Sequence, residues 1–165
     1  MIIYHGSTEI VEYPRIIESE LGRDFGAGFY TTDIKEQAVR WAKHKLIMAK
    51  RYNACAEAVL NYYEFDETAY EKLNTISFPE SDYEWLDFVC ICRSDSKYRH
   101  DYDIVTGKIA DDNVGMTVSY VINNVMRRED AIERLRFEKI NNQICFCSLK
   151  ALQYLKYIKC EKVQL

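Results

Sequence analysis

Apolar positions along the chain fall in short runs whose period changes several times. The first run, Ile2-Ile3-Tyr4, is continuous and predicts a short buried strand over 1–4. Over 10–17 the pattern is irregular, and Pro14 breaks a β-like stretch. A second strand is expected over 27–31, entered through Gly26 and Gly28. Asp33 is then placed to cap a helix, with Glu36 three residues on as in a capping box. Ile34, Ala38, Trp41, Ala42, Lys45 and Ala49 recur at helical spacing and give that helix one apolar stripe. Residues 58–65 alternate and are rich in tyrosine, which fits a strand. A helix is expected over 81–92, with Trp85, Phe88, Val89 and Cys92 on one side. Residues 102–110 alternate as a strand and run into Asp111-Asp112. One or two helices between 114 and 137, a strand over 142–147, a short helix over 148–155 and a strand over 157–163 complete the pattern.

Strands and helices mix without a regular βαβα rhythm, so the expected class is α+β rather than a doubly wound parallel sheet. With 165 residues, two prolines, six glycines and no Ser/Gly-rich linker, residues 1–165 read as one domain with a real core. The net charge of −4 argues against a protein whose main work is gripping a phosphate backbone. Thirteen tyrosines exceed what a core needs and point to stacking on ligands or interfaces. No segment approaches the ~18 apolar residues of a membrane span, and Met1-Ile2-Ile3-Tyr4-His5 lacks the basic start of a signal peptide, so a cytoplasmic location is expected. The six cysteines form no C-x-x-C pair and have no matching histidine pattern; they read as reduced core thiols, not as metal ligands.

Two segments carry chemistry. His5-Gly6 sits at the end of the first strand, where a bare backbone lets a ligand approach and pair an amide with the glycine N–H and C=O. The bland alternative is a satisfied histidine at a strand end. The second segment is Asp24-Phe25-Gly26-Ala27-Gly28-Phe29-Tyr30. A dinucleotide-binding Gly-x-Gly-x-x-Gly lies between a strand and a helix; here Gly26-x-Gly28 leads into a strand and no third glycine follows, so that site is rejected. Its bland alternative is a bulge whose glycines ease strand packing. Tyr30 is the strand residue best placed to face a pocket, and Trp41 on the following helix supplies a second aromatic wall. A histidine on a ribose and a tyrosine against a flat ring suit a nicotinamide ribosyl group.

His5-Gly6-Ser7, Phe25-Gly26-Ala27-Gly28-Phe29-Tyr30 and a helix bearing Trp41 together resemble the NAD-binding core of the ADP-ribosyltransferase superfamily. The likeness is to the diphtheria-toxin and poly(ADP-ribose) polymerase branch, with its His-Tyr-Glu signature. The chain as a whole is similar to a family of small bacterial domains of unknown function in that superfamily. Their features appear as Trp85-x-x-Phe88-Val89-x-x-x-Arg93, as Tyr102-Asp103-Ile104-Val105-x-Gly107-x-x-Ala110-Asp111-Asp112 and as Asn142-Gln143-Ile144-Cys145-Phe146. The resemblance implies a split, mixed/antiparallel sheet with flanking helices. It implies NAD as substrate, held by His5, Gly6, Ser7, Gly28, Tyr30 and Trp41, with no metal. His5 would bond the ribose, Gly6 the carboxamide, and Tyr30 and Trp41 would sandwich the nicotinamide. His5, Tyr30 and Gln143 would be the catalytic set. Gln143 stands where the signature has its glutamate; glutamine keeps the hydrogen bonds and loses the charge. Glu138 is the nearest upstream carboxylate.

Arg93, Asp103, Asp111 and Asp112 are weaker candidates for holding a substrate or acceptor; Asp111-Asp112 reads equally as a helix cap, and Arg93 as a partner of these aspartates. Lys43, His44 and Lys45, with Lys50 and Arg51, form a basic helix face. The activity so implied is mono-ADP-ribosyl transfer to a macromolecule. By family analogy it belongs to the toxin of a toxin–antitoxin pair with an antitoxin protein as partner. The alternative is a non-catalytic NAD or ADP-ribose binding module. An RNA 2′-phosphotransferase would need clustered arginines, whereas Arg15, Arg23, Arg40 and Arg93 are scattered.

Overall fold

A computed structural model describes residues 1–18, 22–53, 55–108, 112–136 and 141–164, with Asp112 and Asn113 described by their backbone alone. The strands are β1 (Ile2–Ser7), β2 (Phe29–Thr31), β3 (Ala58–Phe65), β4 (Thr75–Phe78), β5 (Ile104–Lys108), β6 (Asn142–Phe146) and β7 (Leu155–Val163). The helices are α1 (Lys35–Ala49), α2 (Ala69–Lys72), α3 (Tyr83–Ser94), α4 (Asp112–Ile122), α5 (Arg128–Leu135) and α6 (Leu149–Leu152). They build a mixed α+β architecture with two sheets. One is antiparallel, in the order β1-β3-β7; the other runs β2-β6-β5-β4, with only the β4–β5 pair parallel.

Strand alternation decides how these layers stack. Along β6, Ile144 and Phe146 point one way and Cys145 the other. Ile144 and Phe146 join Ile3, Phe29, Tyr63, Phe65 and Ile104 in a core between the two sheets. Cys145 joins Val105, Phe25, Trp85, Val89, Val118 and Ile132 in a second core beneath α3, α4 and α5. The sheets touch edge to edge at Tyr4 and Thr32, which exchange both backbone hydrogen bonds, at 2.8 and 3.0 Å.

The strand expected over 58–65 is β3, residue for residue, and the last strand begins two residues early at Leu155. The first strand is longer than its apolar run, so His5 and Gly6 lie within β1 and Ser7 ends it. The capping expectation at Asp33 is corrected. The residue before α1 is Ile34, whose N–H donates to Thr32 Oγ1 at 3.1 Å, while Asp33 accepts from Asn142 Nδ2 at 2.9 Å. The apolar stripe is also rotated. The helix buries Gln37, Ala38, Ala42 and Leu46 and leaves Trp41 54 % exposed. Asp82 caps α3 by accepting from Trp85 N–H at 2.9 Å, and Ser148 caps α6. Elements α2 and β4 carry too little pattern to be foreseen: β4 is four residues long and owes its form to pairing with β5.

Candidate functional site

Just past the Tyr4–Thr32 bridge the two sheets part. Residues two apart on a strand direct their N–H and C=O to the same edge. Gly6 therefore aims its backbone groups at the opening, as Tyr4 aims its own at Thr32. The glycine itself is required by α1: a Cβ at Gly6 would lie 2.1 Å from Ala38 O and 2.8 Å from Ala42 N. Helix packing, not ligand approach, excludes a side chain here.

His5 spans the opening. Its Nδ1 lies 2.7 Å from Tyr30 O, and its ring packs on Phe29 at 4.6 Å. A carbonyl only accepts, so Nδ1 carries the proton and Nε2 keeps a lone pair. Burial, then the Lys45 ammonium and the Arg23 guanidinium, hold the imidazole pKa down at about 3 against the opposing Tyr30 bond. His5 is thus a neutral acceptor of fixed tautomer at neutral pH. Lys45, one of the basic residues of α1, is half-buried; burial and Arg23 lower its pKa to about 8 while Glu9 opposes them.

Tyr30 belongs to the helical side of the second sheet. Its hydroxyl donates to Gly26 O at 2.5 Å and accepts from Phe25 N–H at 3.3 Å, which fixes the ring against the 24–26 turn. Gly26 at φ 75° supplies the left-handed residue that turn needs. Burial drives the phenol pKa far up, with Cys145 and Asp24 adding to it. The Arg23 guanidinium stands over the ring, 5.4 Å from its centroid. Gly28 serves strand packing: a Cβ there would meet Cys145 Sγ at 2.4 Å and Phe146 O at 2.9 Å.

Gln143 opposes Gly107 in β5 and shares the face of Cys145, the register partner of Tyr30. Tyr30 and Gln143 are therefore diagonal neighbours, about 7–8 Å apart along the backbone. Gln143 Oε1 is buried with no hydrogen-bond partner among the described residues. A buried acceptor left without a donor costs about 1–3 kcal/mol, so this atom calls for a donor from outside those residues, water included.

A family model described as "Protein of unknown function (DUF3990)" matches residues 1–157. The chain belongs to the DUF3990 family. No curated protein and no solved structure matches it.

The remaining sequence candidates in this DUF3990 chain scatter. Trp41 is on the outer side of α1, stacked on His44 with ring centroids 5.5 Å apart. Ser7 Oγ accepts from Glu9 N–H in a local turn. Arg93 pairs with Asp24, Nε to Oδ1 at 2.5 Å, and Asp24 is only 8 % exposed; of the aspartates expected as its partners, the side chains of Asp111 and Asp112 lie outside the described residues. The Arg93–Asp24 pair ties the end of α3 to the Phe25–Gly26 turn. Asp103 accepts from Asn74 N–H at 3.2 Å at the far end of β5 from α4. Asp112 opens α4, its side chain outside the described residues, as are Asp111 and Glu138. No group of three or more metal-binding side chains occurs among the described residues. A cavity of about 650 Å³ is lined by Asp33, Tyr70, Ile76, Phe78, Gly107 and Asn142 among others; Tyr30 and Gln143 are not part of its lining.

Sequence reasoning missed Gln37 and the place of Arg23 over Tyr30. Gln37 left one signal, a polar residue beside Ala38 on the line that continues to Ala42 and Leu46. Arg23 left none. It also gave Cys145 and Cys147 no more than a core role; their Sγ atoms are 3.4 Å apart. The Cys147 thiol pKa is lowered, chiefly by its bond with Cys145 and further by His100, whereas burial raises that of Cys145.

Proposed function

We propose that this chain is a mono-ADP-ribosyltransferase that takes NAD⁺ and modifies a macromolecular acceptor. The observation that carries the reading is the buried Oε1 of Gln143, without a hydrogen-bond partner among the described residues, on the face it shares with Tyr30. The resemblance of the His5-Gly6, Gly28-Phe29-Tyr30 and Gln143 segments to the superfamily supplies the identity of the ligand.

Each residue then has a task. The Gly6 N–H and C=O hold the carboxamide, a donor–acceptor pair matching an acceptor–donor pair. The Tyr30 ring stacks on the nicotinamide, with Arg23 swung off that ring. His5 Nε2 accepts from a ribose hydroxyl, and its bond to Tyr30 O fixes the angle of approach. Gln143 Oε1 accepts from the 2′-hydroxyl and turns its dipole toward positive charge developing at the anomeric carbon. The bond from that carbon to the nicotinamide nitrogen breaks, the electron pair leaves with nicotinamide, and a nucleophile of the acceptor attacks the carbon and gives up its proton to water. A neutral amide stabilises this charge less than a carboxylate does, so the chemical step is slower by ~10²–10³-fold than with glutamate. Single transfers are served better than chain growth. A toxin-like role in the cytoplasm, held in check by an antitoxin protein, extends the same reading by family analogy.

The neutral Gln143 favours one second reading, a binding module that holds NAD⁺ or ADP-ribose without turnover. Labelled NAD⁺ incubated with the protein, with and without lysate, separates the two. Nicotinamide release and label on macromolecules, abolished by Tyr30→Ala and raised by Gln143→Glu, is the expected result. Saturable binding without release selects the module, and absence of binding overturns both.

A further inference from the structure

We infer that Gln37 is a positioning residue that sets the start of β6 and thereby aims Gln143. The inference rests on the reading of Gln143 given above.

The β2–β6 ladder ends at the pair Thr31–Ile144. Beyond it β2 turns away, first to bridge Tyr4 through Thr32 and then into α1. Asn142, two residues before Ile144, directs its N–H and C=O to the same side, where a strand no longer stands. Gln37 takes the place of that strand. Its Nε2 donates to Asn142 O at 2.8 Å, and its Oε1 accepts from Asn142 N–H at 3.1 Å. One side-chain amide thus makes both bonds of a ladder pair, from a position only 7 % exposed. Two flanking contacts lock the same segment: Asn142 Nδ2 donates to Asp33 Oδ1 at 2.9 Å, and Arg40 Nη2 donates to Asn141 Oδ1 at 3.4 Å. Gln143 is consequently held on one side by its pairing with Gly107 and, through Asn142, on the other by α1.

The consequence is geometric. Ala38 and Ala42, on the same helix as Gln37, press on Gly6. The carboxamide contact and the ribose-facing amide are therefore referred to one rigid helix. Misplacing a reacting group by 1 Å can cost about 10²-fold in rate without removing any contact to substrate. Gln37 touches none of the groups assigned to NAD⁺, so its loss falls on the chemical step and not on affinity.

The test compares wild type with Gln37→Met, which keeps length and removes both bonds, and with Gln37→Glu, which keeps only the acceptor for Asn142 N–H. Hydrogen exchange at Asn142 and the side-chain amide resonances of Gln143, assigned with Gln143→Glu, read the clamp without any turnover. The expectation for Gln37→Met is exchange at Asn142 faster by about tenfold, averaged Gln143 amide signals, and kcat for nicotinamide release down by about 10²-fold, with KM and calorimetric Kd for NAD⁺ held within about threefold. Gln37→Glu lies between. Unchanged Gln143 signals in a folded Gln37→Met protein overturn the inference, as does a loss confined to KM. A wild type that neither binds nor cleaves NAD⁺ overturns the proposed function instead, and the Gln143 signals still decide whether Gln37 positions that residue.

Discussion

Replacing Gly6 by alanine adds one methyl where the backbone of α1 already stands. The new Cβ would sit 2.1 Å from Ala38 O and 2.8 Å from Ala42 N, while ordinary contact begins near 3.4 Å. Both obstacles are main chain and cannot rotate aside. The helix must withdraw by roughly 1 Å, a gap that forfeits about a quarter to a half of each dispersion contact it opens. Those contacts belong to Ala38, Ala42 and Leu46, each 3 % exposed or less. The cost is about 3 kcal/mol, the upper part of the overpacking range. In a domain of this size that lowers Tm by roughly 6–12 °C. Thermal and urea denaturation followed by circular dichroism check it, with Gly26→Ala as the comparison. Gly26 sits at φ 75° with its nearest neighbour 3.8 Å from an added Cβ, so alanine there meets backbone strain alone, about 1–2 kcal/mol. A Gly6→Ala protein melting within about 2 °C of wild type would refute the packing argument. It would also return Gly6 to the role first expected, a backbone left bare for a ligand. Until then, lost NAD⁺ binding in a Gly6 variant reports the position of α1 as much as a carboxamide contact.

Two further outcomes come from the titrating groups. The His5 pKa is about 3 in the folded chain against 6.5 in the unfolded one, so between these values only the unfolded state takes up the proton. The stability due to neutral His5 is complete above pH 6.5 and falls as pH drops, by about 2 kcal/mol between pH 6.5 and 5. His100, whose pKa is raised, acts in the opposite sense, so the comparison is wild type against His5→Asn in urea at pH 7 and pH 5. Equal slopes in the two proteins would show that His5 is not buried in its neutral form. The second outcome concerns Cys147, whose thiolate is favoured by Cys145 and His100. Timed iodoacetamide labelling with mass mapping is expected to show Cys147 reacting with an inflection well below the ordinary thiol range, and Cys145, fully buried, not reacting. Labelling of Cys145 ahead of Cys147 would reverse the assignment.

What the sequence determined is local. The alternation of 58–65 marks β3 because every second side chain there must find the same layer, and that demand is written into neighbouring residues. Helix α3 was legible from its apolar spacing. What the tertiary structure decided is which elements become neighbours. Strand β4 exists through its partner β5, and Trp41 fell on the open side of α1 because Gly6 admits the helix at Ala38 and Ala42. Arg23 reached Tyr30, Arg93 reached Asp24, and Gln37 met the end of a ladder 105 residues further on. Periodicity records how a side chain stands relative to its own helix or strand. The partner of a hydrogen bond or a charge across the fold depends on chain segments whose separation in sequence leaves no local trace, so those contacts, and the aim they give Gln143, arise only when the two sheets and α1 are brought together.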